Sequence, residues 1–158
     1  MKKILPYNKD TFPELWSPDK KLQYQRIIKA FDFYGYSEEE QQWILEALHD
    51  SDTWDWYKDC NGANIVSEPC WPKSEKTDIA YAPEYVYHDY AWTKYGPTWT
   101  SNYRMWKLQN RRRMDGWRSN LRWLGVTLFG MPVHYITWNV KKLFSSNKDN
   151  IKQKEKEK

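Results

Sequence analysis

Paired helix signals near the N-terminus constrain this chain most, because they fix two helices and the turn between them. Ser17-Pro18-Asp19 places a side-chain cap, a proline and an acid where the first turn of a helix accepts them. Ser37 and Glu40 have the spacing of a capping box, and Gly35 ends the apolar pattern before them. The sequence therefore predicts a helical hairpin. Its two helices are predicted over 18–34 and 38–49.

Proline and glycine also delimit helices further along the chain. Ala82-Pro83-Glu84 is typical of a helix start, and Gly96-Pro97 of a helix end. The next helix is predicted over 101–114, with Thr100 or Ser101 as its cap and with Met105, Trp106 and Leu108 toward the core. After a break or kink at Gly116, the sequence predicts a last helix. It covers 117–129 and carries Trp117, Leu121, Leu124 and Leu128.

Between the hairpin and the later helices, residues 50–78 show no helical period and contain several Asp and Pro residues. We interpret this stretch as a long irregular loop, a kind of segment that is usually functional or mobile. The prediction is an all-α protein with a single helical domain. An irregular arm over 1–16, anchored by Phe12, Leu15 and Trp16, precedes the domain. The domain covers 17–144 and consists of the hairpin over 17–49, the loop over 50–78 and the later helices over 79–144. A charged tail over 145–158 follows it.

The composition is rich in rings and poor in cysteine. Trp 11, Tyr 12 and Phe 5 among 158 residues predict a core built more from aromatic than from aliphatic side chains. Cys60 and Cys70 match neither a CxxC pair nor a zinc site, and their redox state stays open. The first residues lack the apolar run of a secretory signal. We therefore expect the protein in the cytoplasm of the host cell that makes it, or in a virion.

Positive charge is concentrated in residues 101–122, where seven basic residues face the single acid Asp115, a net charge of +6. Such a segment can attract nucleic-acid phosphates, anionic lipid headgroups or an acidic partner protein. A solvated helix face is the alternative. The candidate residues for binding an anionic partner are Arg104, Lys107, Arg111, Arg112, Arg113, Arg118 and Arg122.

The segment Leu124–Val140 has no formal charge over 17 residues and follows Arg122. It is at the short limit for a membrane span and contains glycine and proline, so we do not expect it to span a membrane. Two interpretations stay open. It could dock at a membrane interface through Trp123, Trp138 and the arginines, or it could be a buried or partner-facing element.

Tyr87-His88-Asp89-Tyr90 is the one stretch that suggests a specific chemistry. Successive helical residues diverge by about 100°, so His88 and Asp89 cannot form an ordinary hydrogen-bonded pair on one face. The imidazole could orient or deprotonate a water molecule, while the carboxylate binds a cation. A buried structural histidine is the alternative interpretation.

The order of these features resembles the phospholipase A2-like families, and in particular their small phage and bacterial members. A Cys60-Asn61-Gly62 loop precedes the His88-Asp89 helix, which a short turn at Gly96 connects to a second helix. In that helix, Asn102-Tyr103-Arg104 stands where the family has an Ala-Asp-Arg motif, and Phe129-Gly130 matches a late segment. The resemblance covers roughly residues 55–135 and implies an antiparallel helix pair after the hairpin and the loop.

The resemblance also implies roles for individual residues. His88 would be the general base that activates water, and Asp89 would bind calcium together with backbone carbonyls of Cys60 and Gly62. Asn102 replaces the family's orienting carboxylate. An amide can accept a hydrogen bond from the imidazole but cannot offset the charge of an imidazolium.

Three functions follow as hypotheses. The first is a catalytically weak or silent phospholipase A2-like phage protein, a structural or virion-associated component that binds other subunits through its aromatic and arginine-rich surface. The second is a calcium-dependent phospholipid esterase that acts on the host envelope. The third is a nucleic-acid-binding protein that uses residues 101–122. Calcium is the one cofactor expected, and an anionic lipid surface is a further expected partner.

Overall fold

The computed structural model of the chain describes residues 7–50, 54–60, 79, 83–112 and 116–140. In these residues it contains helices and turns but no strand, which confirms the all-α prediction. The helices are α1 (Pro18–Tyr34), α2 (Glu38–His49), α3 (Trp56–Asp59), α4 (Glu84–Tyr95), α5 (Trp99–Arg111) and α6 (Gly116–Gly125), followed by a π-helical turn (Val126–Gly130) and a helical stretch over 131–140.

The first two helices have the predicted bounds, and their caps explain why. The Ser17 hydroxyl accepts a hydrogen bond from the Lys20 N–H, which satisfies a donor that the helix itself leaves unpaired. Gly35 ends α1 with φ 67°, a left-handed conformation that glycine adopts without strain. Ser37 and Glu40 form the complete capping box. Tyr24 of α1 contacts His49 of α2, with 3.1 Å between Oη and Nε2.

The prediction of an irregular loop over 50–78 was wrong at its start, because residues 56–59 form the short helix α3. Asp55 caps this helix by accepting from the Tyr57 N–H, and it also forms an ion pair with Lys20 at 2.6 Å. Trp56 is only 1% exposed, so the helix is fixed by a buried indole ring. The rest of the predicted loop over 61–78, including Gly62 and Cys70, lies outside the described residues.

The N-terminal arm is anchored by rings, as expected. Phe12 and Trp16 both pack against Tyr24 of α1, with ring centroids 5.7 and 5.4 Å away. The prediction of Leu15 as an anchor was wrong, since this side chain is 99% exposed. The turn that places Phe12 and Trp16 against α1 directs Leu15 outward.

The start of α5 also corrects a prediction. The helix begins at Trp99, two residues before the predicted start, because Thr98 and not Thr100 or Ser101 is the cap. Thr98 and Ser101 form a second capping box. Met105 and Leu108 are buried as predicted, whereas Trp106 is only partly buried and donates to Asn120 Oδ1.

The last helix is longer than predicted. We expected it to end at residue 129, but the chain stays helical through the π-helical turn to residue 140. In that turn the Met131 N–H donates to the Val126 oxygen, five residues earlier. Pro132 follows at once. A proline has no N–H and its ring clashes with the carbonyl four residues before it, so a widened turn lets the helix continue. We call residues 116–140 the C-terminal helix.

Among the described residues, nine of the nineteen buried hydrophobic side chains are aromatic, so by number the core is divided about evenly between rings and aliphatic side chains rather than mainly aromatic as predicted. α4 packs against α2, α3 and α5, and α5 packs against α6. The buried aromatic residues are Tyr24, Phe31, Tyr36, Trp43, Trp54, Trp56, Tyr85, Tyr87 and Tyr90. Within the part of the chain that the structure describes, no helix is both long enough and apolar enough to cross a membrane.

Candidate functional site

The helices α4 and α5 form the frame of the candidate site. Side-chain hydrogen bonds join early residues of one helix to late residues of the other, from Tyr85–Gln109 to Trp92–Ser101. The pair is therefore antiparallel, and the turn between its helices contains Gly96 with φ 79°. This arrangement brings His88 and Asn102 together at the middle of the pair, as predicted.

His88 is held by an amide. Its ring is 6% exposed, and Nε2 lies 3.1 Å from Asn102 Oδ1. The same oxygen accepts from Trp92 Nε1 at 3.2 Å, and Asn102 Nδ2 donates to Thr127 Oγ1 at 3.2 Å. Because the amide oxygen is an acceptor only, this assignment of the network places a proton on His88 Nε2.

Trp92 covers the imidazole on one side. The two ring centroids are 4.5 Å apart, and the far side of Trp92 contacts His134 at 4.7 Å. Gly130 permits this packing, since a Cβ atom there would lie 3.1 Å from the Trp92 ring. Sequence reasoning missed Trp92 as a neighbour of His88, and His134 as a neighbour of Trp92. The spacing of Trp92 from His88, four residues on the same helix, was the signal that could have found the first of them.

Asp89 lies beside the other ring nitrogen. His88 Nδ1 and Asp89 Oδ1 are 3.6 Å apart, beyond a hydrogen bond, which agrees with the divergence of successive helical side chains. The carboxylate of Asp89 is partly exposed, whereas the imidazole is buried. The site thus consists of the buried His88 imidazole, which could act as a base, and the partly exposed Asp89 carboxylate next to it.

A calcium site is not assembled by the described residues. They contain no group of three or more His, Cys, Asp or Glu side chains that could hold a metal ion. Calcium takes about six to eight oxygen ligands, of which the Asp89 side chain could supply one or two. Cys60 is disulfide-bonded, and Gly62, the other predicted carbonyl ligand, lies outside the described residues. The predicted roles of Asp89, Cys60 and Gly62 stay predictions.

Two of the predicted anion-binding residues contact a buried carboxylate of the protein itself. Lys107 Nζ and Arg111 Nε lie 3.4 and 3.3 Å from the Glu40 carboxylate, which is fully buried. Burial raises the pKa of Glu40, but the hydrogen bond from the Ser37 N–H and the two cations outweigh it, so the net pKa is lowered. These contacts join α5 to α2.

The other basic residues of 101–122 that the structure describes are also in contact with neighbouring side chains. Arg112 Nε lies 2.9 Å from the Glu84 carboxylate, and both side chains are buried. The Arg104 guanidinium lies 4.6 Å from the centre of the Trp43 ring. Arg122 donates to Tyr85 Oη, and Arg118 lies over the Trp117 ring. Arg113 is outside the described residues.

A cluster of polar side chains that sequence reasoning missed joins α2 to α4. Tyr90 Oη donates to Asp50 at 2.8 Å, Lys94 contacts the same carboxylate, and Tyr95 Oη donates to Glu46 at 2.7 Å. Burial and the hydrogen bond to Asp50 raise the pKa of Tyr90. The helical spacing of Glu46 and Asp50, four residues apart, hinted at a shared face but not at its tyrosine partners.

An exposed aromatic face lies where α5 meets α6. Trp99 is close to Trp123, with ring centroids 6.2 Å apart, and Tyr103 is close to Trp106 at 5.7 Å. Trp99, Tyr103 and Trp117 are each more than half exposed. We call these five residues the aromatic face. Tryptophan and tyrosine are enriched in protein–protein interfaces.

Comparisons with protein-family models, with curated proteins and with solved structures find no match to this chain.

Proposed function

We propose that this protein is a catalytically weak or silent relative of the phospholipase A2-like proteins. It serves as a structural component of an assembly, which the resemblance to phage proteins suggests is a virion, and it binds other subunits through the aromatic face. The observation that carries this proposal is the contact of His88 Nε2 with the Asn102 amide in place of a carboxylate.

The amide matters because of the charge that a general base acquires. When His88 takes a proton from water, the imidazole becomes an imidazolium, and a carboxylate on Nε2 would stabilise it. Asn102 orients the ring without that compensation. Trp92 also covers one side of the ring, so the geometry favours a histidine that supports the α4–α5 pair over one that turns over substrate.

The binding role is supported by the aromatic face. Tryptophan and tyrosine supply large contact areas with little loss of side-chain freedom, and they are enriched at the centres of protein interfaces. Trp99 and Trp117 are exposed by about 60% each, although the chain has a core that accommodates many other rings. Rings left at the surface in this way are suited to a partner subunit.

The test is the release of fatty acid from mixed phospholipid vesicles in the presence of calcium. We expect the full chain to release no more than vesicles without protein, and His88→Gln to behave in the same way. His49→Gln is the control, because His49 is a partly buried histidine that lies on α2 and contacts Tyr24 instead of Asn102. Calcium-dependent release far above that of vesicles without protein, which disappears in His88→Gln and persists in His49→Gln, would overturn the proposal.

A second candidate, the calcium-dependent phospholipid esterase, has support from the position of Asp89 beside His88 Nδ1. In this function Nδ1 takes a proton from water, the water oxygen attacks the ester carbonyl carbon, and the proton passes to the departing alcohol oxygen. Calcium bound at Asp89 would supply charge stabilisation.

The esterase function predicts that the wild type releases fatty acid slowly and that Asn102→Asp releases it faster. Exchange between carboxylate and amide at the orienting position changes rates by up to about 10⁴-fold in a serine-protease triad. An Asn102→Asp variant that folds and releases no fatty acid would contradict this candidate.

Nucleic-acid binding through residues 101–122 has less support. Lys107, Arg111 and Arg112 contact the carboxylates of Glu40 and Glu84, which offset much of the charge that phosphates would need. Nucleic-acid binding whose affinity falls steeply with increasing salt concentration would support this function.

A further inference from the structure

We infer that the C-terminal helix binds the surface of an anionic phospholipid bilayer through residues 124–140. This inference goes beyond the proposed function, because it requires neither an active nor a silent His88. Residues 124–140 adjoin the aromatic face, which includes Trp117 and Trp123 from the first part of the same helix.

The first observation is the exposure of large apolar side chains on this helix. Seven of them between residues 124 and 140 are exposed by 43% to 73%. Leaving so much apolar surface in water is unfavourable, and contiguous surface of this kind usually marks an interaction site. The seven residues are Leu124, Leu128, Phe129, Val133, Tyr135, Ile136 and Val140.

The second observation is the absence of charge on every side of the helix. The six consecutive residues 132–137 are all exposed, which is more than one full turn, and 124–140 contains no Asp, Glu, Lys or Arg. A helix that packs on a protein partner buries one side and keeps charged residues on the side that faces water. Because residues 124–140 contain no charged side chain, this helix can enter the region between headgroups and acyl chains without taking a charge out of water.

The third observation concerns the polar side chains of this stretch. Thr137 Oγ1 donates to the carbonyl oxygens of Val133 and His134 at 3.1 and 3.0 Å. Asn139 Nδ2 donates to the Tyr135 oxygen at 2.8 Å. Because these donors are satisfied by their own helix, the helix can leave water without leaving them unpaired.

Charge complementarity selects an anionic surface. Residues 116–140 contain Arg118 and Arg122 and no acidic residue. Both arginines precede the uncharged stretch. Trp123 and Trp138 lie near its two ends, partly exposed and packed on one side against Trp99 and Gly96. Arginine next to tryptophan is typical of helices that lie at the headgroup level of a bilayer, where phosphates meet the cations and indole rings sit between water and acyl chains.

The experiment measures co-sedimentation of the full chain with vesicles of ether-linked phosphatidylcholine, with and without ether-linked phosphatidylglycerol. Ether lipids contain no ester that the esterase function could cleave, so the result is independent of the test at His88. The double variant Phe129→Glu, Ile136→Glu removes two exposed apolar contacts. Phe33→Glu is the matched control, since Phe33 is 68% exposed on α1, away from the C-terminal helix.

We expect the wild type to bind vesicles that contain phosphatidylglycerol more strongly than vesicles without it. The double variant should lose at least about tenfold in the partition coefficient, because each buried aromatic or aliphatic side chain contributes at least that much. Phe33→Glu should change it by less than about twofold. Circular dichroism checks that all variants keep their helix content.

Three results would overturn the inference. The wild type could fail to bind the anionic vesicles, the folded double variant could bind as the wild type does, or Phe33→Glu could lose as much binding as the double variant. A dimer in vesicle-free solution that the double variant dissociates, without vesicle binding, would instead assign the surface to a second copy of the chain.

Discussion

The helix α5 and the C-terminal helix both contain aromatic and basic residues, but they place these residues in different environments. On α5, Lys107 and Arg111 contact the buried Glu40, while Met105 and Leu108 enter the core. On the C-terminal helix, the apolar residues are exposed. Since α5 packs against α4 and its side chains reach Glu40 of α2, its charges find internal partners. The composition of a helix therefore does not indicate whether its charged residues serve the fold or a partner.

The largest expected difference in stability is between a variant that loses a buried tryptophan and one that loses an exposed tryptophan. Trp56→Ala removes a ring that is 1% exposed, so we expect the free energy of unfolding to fall by about 3–5 kcal/mol. Trp117→Ala removes a ring that is 60% exposed and should change it by less than about 0.5 kcal/mol. Urea denaturation of both variants measures the difference. Equal losses would contradict the contrast between core and C-terminal helix.

The next effect concerns the carboxylate that holds the cations of α5. Glu40→Gln keeps an acceptor for the Ser37 N–H but removes the charge that faces Lys107 and Arg111. We expect a loss of about 1–2 kcal/mol at neutral pH. Glu39→Gln, at an exposed position on the same turn, is the control.

The pH dependence of that variant follows from the lowered pKa of Glu40 in the folded protein. The ionised carboxylate stabilises the fold fully above its ordinary pKa of 4.5, and this stabilisation is lost as the pH falls through the lowered value. The difference in stability between the wild type and Glu40→Gln should therefore shrink on acidification. A difference that stays constant between neutral and acidic pH would show that the charge of Glu40 does not hold α5.

The smallest effects distinguish two glycines of the C-terminal helix. Nothing lies within 4 Å of a Cβ atom at Gly125, so Gly125→Ala should stabilise the protein by about 1 kcal/mol through helix propensity. At Gly130 the new Cβ would be 3.1 Å from the Trp92 ring. Trp92 is fixed by hydrogen bonds to Ser101 and Asn102, so Gly130→Ala should destabilise. Thermal unfolding tests the opposite signs, and two stabilising substitutions would mean that Trp92 moves freely.

Local signals predicted much of the helical framework. The cap at Ser17, the capping box at Ser37–Glu40 and the glycines at 35 and 96 are short-range features, and they placed α1, α2 and α4 correctly. At the start of α5 the prediction named Thr100 or Ser101 as the cap. Thr98 is the cap, so the helix begins earlier than expected. The helix α3 has only four residues, too few to show a period.

The candidate site was partly predictable. The contact of His88 with Asn102 follows from an antiparallel pair with a short turn, which the resemblance implied. Trp92, Thr127 and Gly130 depend on how the C-terminal helix lies across that pair, and no local pattern encodes this. The contacts of Lys107 and Arg111 with Glu40 were missed for the same reason, because their partner lies on α2, far away in sequence.

Hydrogen exchange of backbone amides, measured on the full chain with and without anionic ether-lipid vesicles, tests the contrast between the buried helices and the C-terminal helix most directly. The helix α4 represents the buried helices. We predict that α4 exchanges slowly in both conditions, because its residues are largely buried. Residues 131–140 should exchange faster in solution and slow down by at least about tenfold on the vesicles. If these residues were already as protected as α4 without lipid, or unchanged by vesicles, the C-terminal helix would not be the docking surface.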